Sequence, residues 1–221
     1  MTRTSPGSRP WSDTVRSSAS HHGMKDGRVV RTLKDQRREE AAKRRSAIPK
    51  AARERAAADL AEWIHTCPFR LEYDVTVAAY VPVGDEPGST AMLDALLDRG
   101  VTVLLPVVPA GEPAPLDWAR YTGPGSLSPG RWGLLEPTTD RLGVAAIRAA
   151  SVILIPALSV DKTGVRLGRG AGYYDRTLVG LSAELVAVVY DEEFVDSLPA
   201  GDHDVAVGWA LTPGGGFQEL G

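Results

Sequence analysis

Between Gly164 and Leu178 the chain reads GVRLGRGAGYYDRTL, with four glycines, three arginines, two adjacent tyrosines and one aspartate. Glycine has no Cβ, so its backbone N–H can turn toward a ligand without obstruction. Successive N–H groups form a concave anion site, and a helix beginning behind them adds its dipole. Arg166 and Arg169 can supply charge-assisted hydrogen bonds to phosphate. Asp175 has the chemistry of a Mg²⁺ ligand on a bound nucleotide, since such an ion keeps only one or two protein carboxylates. The run is not a Walker A loop, which needs Gly-Lys-Ser/Thr at the helix start, and it is not a dinucleotide fingerprint. A glycine-rich turn with core-packed tyrosines fits the same spacing, and spacing alone leaves both readings open.

The elements around this run must position it. SVILIPAL, just before it, reads as a buried strand. YDVTVAAYVPV alternates Val75, Val77 and Ala79 and reads as a strand, followed by a GDEPGS turn. STAMLDALLDRG is a helix with Ser89 as its cap and Gly100 as its terminator. VTVLLPVV and AELVAVVY are further buried strands, LDWARYTG a short one, and RLGVAAIRAA and GYYDRTLVGL short helices. PGSLSPGRWGLLEPTTD is read as a long functional loop. Val29 to Thr66 is rich in Ala, Glu, Arg and Lys and reads as helix, interrupted at Pro49. Strands alternating with helices predict a mostly parallel sheet covered by helices on both faces, a three-layer α/β sandwich. Ligands of such sheets bind at the carboxyl ends of the strands, where Gly164–Leu178 falls.

Composition bounds the class. The 221 residues suit a single domain, expected over 25–221, behind a disordered extension over 1–24 rich in Ser, Arg, Gly and Pro. Met24 is an alternative candidate start. His21 and His22 lack a third ligand at metal spacing. One cysteine, Cys67, excludes an internal disulfide framework. No apolar run reaches ~20 residues and no apolar segment follows the N-terminal arginines, so a cytoplasmic protein is expected, with no membrane partner. The net charge of −3 hides an imbalance: Lys25–Arg55 carries 12 basic and 5 acidic residues, whereas Ala56 onward carries 10 and 22. The acidic body repels a phosphate backbone, so small molecules are the expected partners and nucleic acid is not. A monomer is expected.

GVRLGRGAGYYDRTL resembles the signature of the 5-formyltetrahydrofolate cyclo-ligase family, usually Gly-Asn-Arg-Leu-Gly-x-Gly-x-Gly-Tyr-Tyr-Asp. YVPVGDEPGST, GRWGLLEP, LIPALSVDKTGVRLG and LPAGDHDVAVGWAL resemble other family segments in the same order, from about Lys34 to Leu211. The resemblance implies an α/β three-layer sandwich. It also implies Mg²⁺-dependent conversion of 5-formyltetrahydrofolate and ATP to 5,10-methenyltetrahydrofolate, ADP and phosphate.

The resemblance further implies site residues. Lys34 and Arg38 match a Lys and an Arg that reach the ATP phosphates from the first helix; four residues apart, they share one face. Arg166, Leu167, Gly168, Arg169, Gly170, Ala171, Gly172, Tyr173 and Tyr174 form the nucleotide loop. Of these, Arg169 to Tyr173 also border the folate, and Arg169 and Tyr173 are the catalytic candidates. Val81, Glu86 and Trp132 complete the folate site, with Glu86 on the pterin N–H groups and Trp132 stacked on the ring. Asp175 and Asp204 are the Mg²⁺ carboxylates, with Asp202 a competitor for the second. The chain departs from the usual pattern at Arg37, Arg169, Ala171, Gly208 and Trp209. A positive φ at Ala171 would strain an alanine. Two alternatives stand beside the enzyme: a non-catalytic nucleotide- or RNA-binding relative, and an ATP-using enzyme acting on a different formylated small molecule.

Overall fold

A computed structural model describes residue 1 and residues 19–130, 134–201 and 203–221. The helical segment divides at Pro49. Helix α1 (Ala19–Ser46) ends before it and α2 (Lys50–His65) begins behind it. A proline there has no N–H to leave unpaired at the helix start. Because α1 begins at Ala19, residues 19–24 are helical, earlier than the helical composition beginning at Val29 suggests. The remainder of the expected extension, residues 2–18, lies outside the described residues.

The first half of the chain supplies β1 (Thr76–Ala78), α3 (Thr90–Asp98), β2 (Thr102–Val107), β3 (Asp117–Tyr121), β4 (Leu127–Pro129) and β5 (Leu135–Pro137). The second half supplies β6 (Ala150–Pro156), β7 (Ser159–Asp161), β8 (Arg166–Leu167), α4 (Tyr173–Thr177), β9 (Glu184–Val188), β10 (Phe194–Val195), β11 (Trp209–Thr212) and β12 (Gly216–Glu219). Seven strands make the main sheet in the order β12-β11-β9-β6-β1-β2-β3. The five inner strands run parallel, and an antiparallel strand closes each edge. A small sheet of β10-β7-β8 and a β4-β5 hairpin lie outside it.

Period-two alternation decides the layers. Val77, Val103, Val152, Leu154, Val186, Val188 and Leu211 face one way and pack on Leu60 and Ile64 of α2 and Met92, Leu93 and Leu96 of α3. Ala78, Leu104, Ile153, Ile155, Ala187 and Ala210 face the other way, onto Ile147, Val160 and Leu178. This second face is covered by short pieces: a 3₁₀ segment over Val144–Ala149, the single turn of α4, and the small sheet. Strands buried on both faces read as continuous apolar runs, which is why they are legible in the sequence.

Several elements differ from expectation. RLGVAAIRAA forms a 3₁₀ segment and GYYDRTLVGL only one α-turn. The YDVTVAAYVPV strand keeps only three residues in regular pairing, although Ala79 N–H still bonds Leu104 O at 2.9 Å. The long loop contains the β4-β5 hairpin, whose prolines are tolerated because a two-stranded ribbon leaves half its backbone groups free of the ladder. The C-terminal tail forms β11 and β12, anchored where Trp209 meets Phe69 edge-on at 5.1 Å.

Helix α1 is polar in composition yet presents one buried face. Ala41 packs with Leu158 and Leu167. One turn further, Arg45 is 1% exposed and forms a two-pronged ion pair with Glu193, itself 4% exposed, at 2.6 and 2.7 Å. Burial alone lowers the Arg45 pKa, but the Glu193 bond and charge outweigh it, so the guanidinium sits above its ordinary value. The same face, followed toward the N-terminus, carries Arg38 and Lys34.

Candidate active site

A cavity of about 400 Å³ opens at the carboxyl ends of β1, β2 and β6. β1 leads to β2 on one side, whereas its other neighbour β6 leads to β9 on the opposite side, so the connections diverge between β1 and β6. Such a switch point opens a crevice above the sheet. The volume falls within the roughly 300–1,000 Å³ usual for small-molecule sites.

Four chain segments bring the expected residues to this cavity. Lys34 and Arg38 enter from α1, and Val81 and Glu86 from the turn after β1. Arg166, Leu167, Gly168, Arg169, Gly170, Ala171, Gly172, Tyr173, Tyr174 and Asp175 form its floor and one wall. Asp204 comes from the C-terminal segment. Trp132 and Asp202 lie outside the described residues, although Leu134 and Leu135, just past Trp132, line the cavity. Arg37 is exposed and pairs with Glu40, so the α1 register turns Arg38 inward.

The glycine run works through its dihedrals. Gly170 and Gly172 have φ of +100° and +72°, whereas among the described residues the only other residue type with positive φ is Asp74. Ala171 therefore occupies a conformation open to alanine, and the strain it would meet at positive φ does not arise. A Cβ on Gly170 would come within 3.3 Å of the Arg38 guanidinium carbon, so glycine lets the α1 arginine lie against the loop. Arg38 Nε also donates to Gly168 O at 3.0 Å. Helix α4 is a single turn, so its dipole adds less than a long helix would.

Every cavity cation has a partner within the chain. Lys34 Nζ bonds Asp204 at 2.7 Å, and Gly201 N–H donates to the same carboxylate. Arg38 pairs with Asp35. Arg166, 4% exposed, is held at both ends, by Asp175 and by Val205 O. Burial lowers the Arg166 pKa, opposed by the charges of Asp175 and Asp204. Arg169 bonds Glu86 Oε1 at 2.9 Å and lies 3.6 Å from Asp85. Tyr80 and Tyr174 are driven above the ordinary tyrosine value by burial first, then by the Glu86 charge.

Asp175 and Asp204 both line the cavity and both act on the Arg166 charge, so the two carboxylates converge on one region. No group of three or more metal-ligating side chains occurs among the described residues. Two carboxylates nonetheless suit Mg²⁺, which takes one or two from protein and its other ligands from water and phosphate.

The structure adds residues that sequence reasoning missed. Val83, Pro106, Val108, Leu116 and Leu135 make an apolar wall, and Glu136 stands beside it, accepting the Val108 N–H at 3.3 Å. The only sequence signal for Glu136 is its place in GRWGLLEP. Loop apolar residues such as Val108 and Leu116 have no periodicity to mark them.

The fold and the cavity define an α/β protein with a small-molecule site at its strand ends, half charged and half apolar. The model of the 5-formyltetrahydrofolate cyclo-ligase family matches residues 30–213. The chain is 48% identical over 181 residues to a 5-formyltetrahydrofolate cyclo-ligase of Mycolicibacterium smegmatis, covering 80% of this chain and 91% of that one. It is 28% identical over 141 residues to the Escherichia coli K12 cyclo-ligase, covering 62% and 78%. The solved 5,10-methenyltetrahydrofolate synthetase of Aquifex aeolicus superposes with a TM-score of 0.71 at 26% identity, covering 85% of this chain and 93% of that one. The chain belongs to the 5-formyltetrahydrofolate cyclo-ligase family.

Proposed function

We propose that this protein uses ATP and Mg²⁺ to cyclise 5-formyltetrahydrofolate to 5,10-methenyltetrahydrofolate, releasing ADP and phosphate. The observation that carries the reading is the single cavity joining the α1 cations, the glycine run and two carboxylates to an apolar wall. Nearly half-identity to a curated cyclo-ligase over most of both chains supports the same reaction.

The charged half receives ATP. Lys34, Arg38 and Arg166 neutralise its phosphates, and the backbone from Leu167 to Gly172 approaches them closely because glycine admits it. Asp175 and Asp204 hold Mg²⁺, which when bound offsets phosphate charge. The apolar half, with Val81, receives the pterin and aminobenzoyl rings, and Glu86 accepts the pterin N–H groups.

The formyl oxygen on N5 attacks the γ-phosphorus, and the bond to ADP breaks. N10 then attacks the formyl carbon, the carbon–oxygen bond breaks, and the oxygen departs with phosphate together with the N10 proton. Arg169, on the loop between the two halves, stabilises the transferred phosphoryl charge, and Tyr173 borders the reacting carbon. Most of the catalytic effect is positioning and charge stabilisation. A cytoplasmic location belongs to the same reading; among the described residues no helix is long and apolar enough to cross a membrane. The acidic body favours small-molecule substrates over nucleic acid.

The test is turnover of 5-formyltetrahydrofolate with Mg²⁺, followed by near-ultraviolet absorbance of the methenyl product, with and without ATP. Growth of the band only with ATP is expected. ATP binding without product would redirect the search to another formylated substrate, and neither binding nor product would leave a non-catalytic relative.

A further inference from the structure

The Glu86 carboxylate is engaged from within the chain. Its Oε2 accepts the Val83 N–H at 3.0 Å, and its Oε1 accepts Arg169 Nε at 2.9 Å. The Glu86 side chain is 9% exposed and that of Arg169 is 57% exposed, so the arginine lies over the carboxylate on its solvent side. A ligand that uses Glu86 must move Arg169 first.

The two partners differ in freedom. The backbone beside Glu86 is pinned twice: the Tyr80 hydroxyl donates to Pro87 O at 2.7 Å and the Tyr190 hydroxyl to Asp85 O at 3.2 Å. Arg169 stands between Gly168 and Gly170, and among the described residues its side chain forms ion pairs with Glu86 and Asp85. Arg166, three residues earlier, is fastened at both ends. Arg169 is thus the most exposed of the three cavity guanidiniums, against 24% for Arg38 and 4% for Arg166, and it is carried by the glycine run that also lines the charged half.

We propose that Arg169 is a partner-exchanging residue that couples the two substrates, an inference resting on the reading under Proposed function. The pterin N–H groups take over Glu86, and the released guanidinium turns to the phosphates held by its own loop. Either substrate alone must break the Arg169–Glu86 pair. The second to bind finds it already broken, so each tightens the other by the same factor.

Calorimetric titration of 5-formyltetrahydrofolate into the wild-type protein tests this, with and without Mg²⁺ and an ATP analogue bearing a β,γ-methylene bridge. Binding about fivefold or more tighter with the analogue present is expected, a coupling at the lower end of the usual range. In Arg169→Ala, folate alone should bind more tightly than to wild type, and the effect of nucleotide should vanish. A residue serving only structure would not tighten binding when removed. Equal wild-type affinities with and without the analogue would overturn the coupling while leaving the reaction intact. Weaker folate binding by Arg169→Ala without nucleotide would make the arginine a direct folate contact and would also overturn it. A wild-type protein that neither binds nor turns over 5-formyltetrahydrofolate would remove the reading itself, and this inference with it.

Discussion

Replacing Glu193 by alanine separates the anchoring of α1 from the chemistry at its other end. The substitution removes both bonds to Arg45, at 2.6 and 2.7 Å, and the bond from Tyr190 N–H at 2.9 Å. Arg45 keeps Ala157 O and the Tyr190 ring 5.6 Å away, but no carboxylate. A guanidinium left buried without its counter-charge costs about 3–5 kcal/mol. A domain of ordinary stability has only about 5–15 kcal/mol in total. For a chain of this length the loss should lower Tm by roughly 6–20 °C. Thermal and urea unfolding of the single variants, and of Arg45→Met/Glu193→Leu, measure it. The double variant should recover much of the loss, because an apolar pair has no charge to desolvate. Since Arg38 lies about 10 Å along the helix from Arg45, the KM for ATP should rise in Glu193→Ala at temperatures where the fold persists. Melting within about 2 °C of wild type, or a double variant no more stable than the worse single, would refute the argument that a buried ion pair fastens α1.

Three further outcomes are expected. Gly170→Ala should cost about 1–2 kcal/mol from its positive φ and raise the KM for ATP by pushing on Arg38, whereas Gly168→Ala, which has open space and no positive φ, should leave unfolding unchanged. Asp175→Asn should raise the Mg²⁺ concentration needed for turnover while folate affinity, read by calorimetry, stays near wild type; equal loss of both would assign Asp175 a structural role. Tyr80 and Tyr174 have raised pKa values in the folded chain, so their contribution is fully present below the unfolded value near 10 and falls as pH rises above it toward the folded values. Stability should therefore decline above about pH 10, and the phenolate absorbance of these two tyrosines should appear only with unfolding; reversible early ionisation of all six tyrosines in the folded state would contradict their burial.

The strands of the parallel sheet were legible because both their faces are buried, which leaves dense apolar runs such as SVILIPAL in the sequence. The Pro49 break, the Ser89 cap and the glycine run were legible for a similar reason, since each depends on the local chemistry of one or a few residues. The weak elements were not. The single turn of α4 and the 3₁₀ segment over Val144–Ala149 share the composition of longer helices, and only packing decides where such a helix stops. The β4-β5 hairpin and the C-terminal strands are short, and their prolines and glycines read as loop.

By itself the sequence determined the kinds of groups present and their local spacing: the Lys34/Arg38 face, the arginines between glycines, and the isolated carboxylates. Tertiary structure decided which of them meet. Lys34 and Asp204 are 170 positions apart and Arg45 and Glu193 are 148 apart, and no periodicity links such pairs. Lys34 and Asp204 meet at the crevice above β6, β1 and β2, where α1, the β1 turn and the C-terminal segment line one cavity. Glu136 and the apolar wall were decided in the same way, since a loop residue acquires its surroundings only when the sheet beneath it has formed.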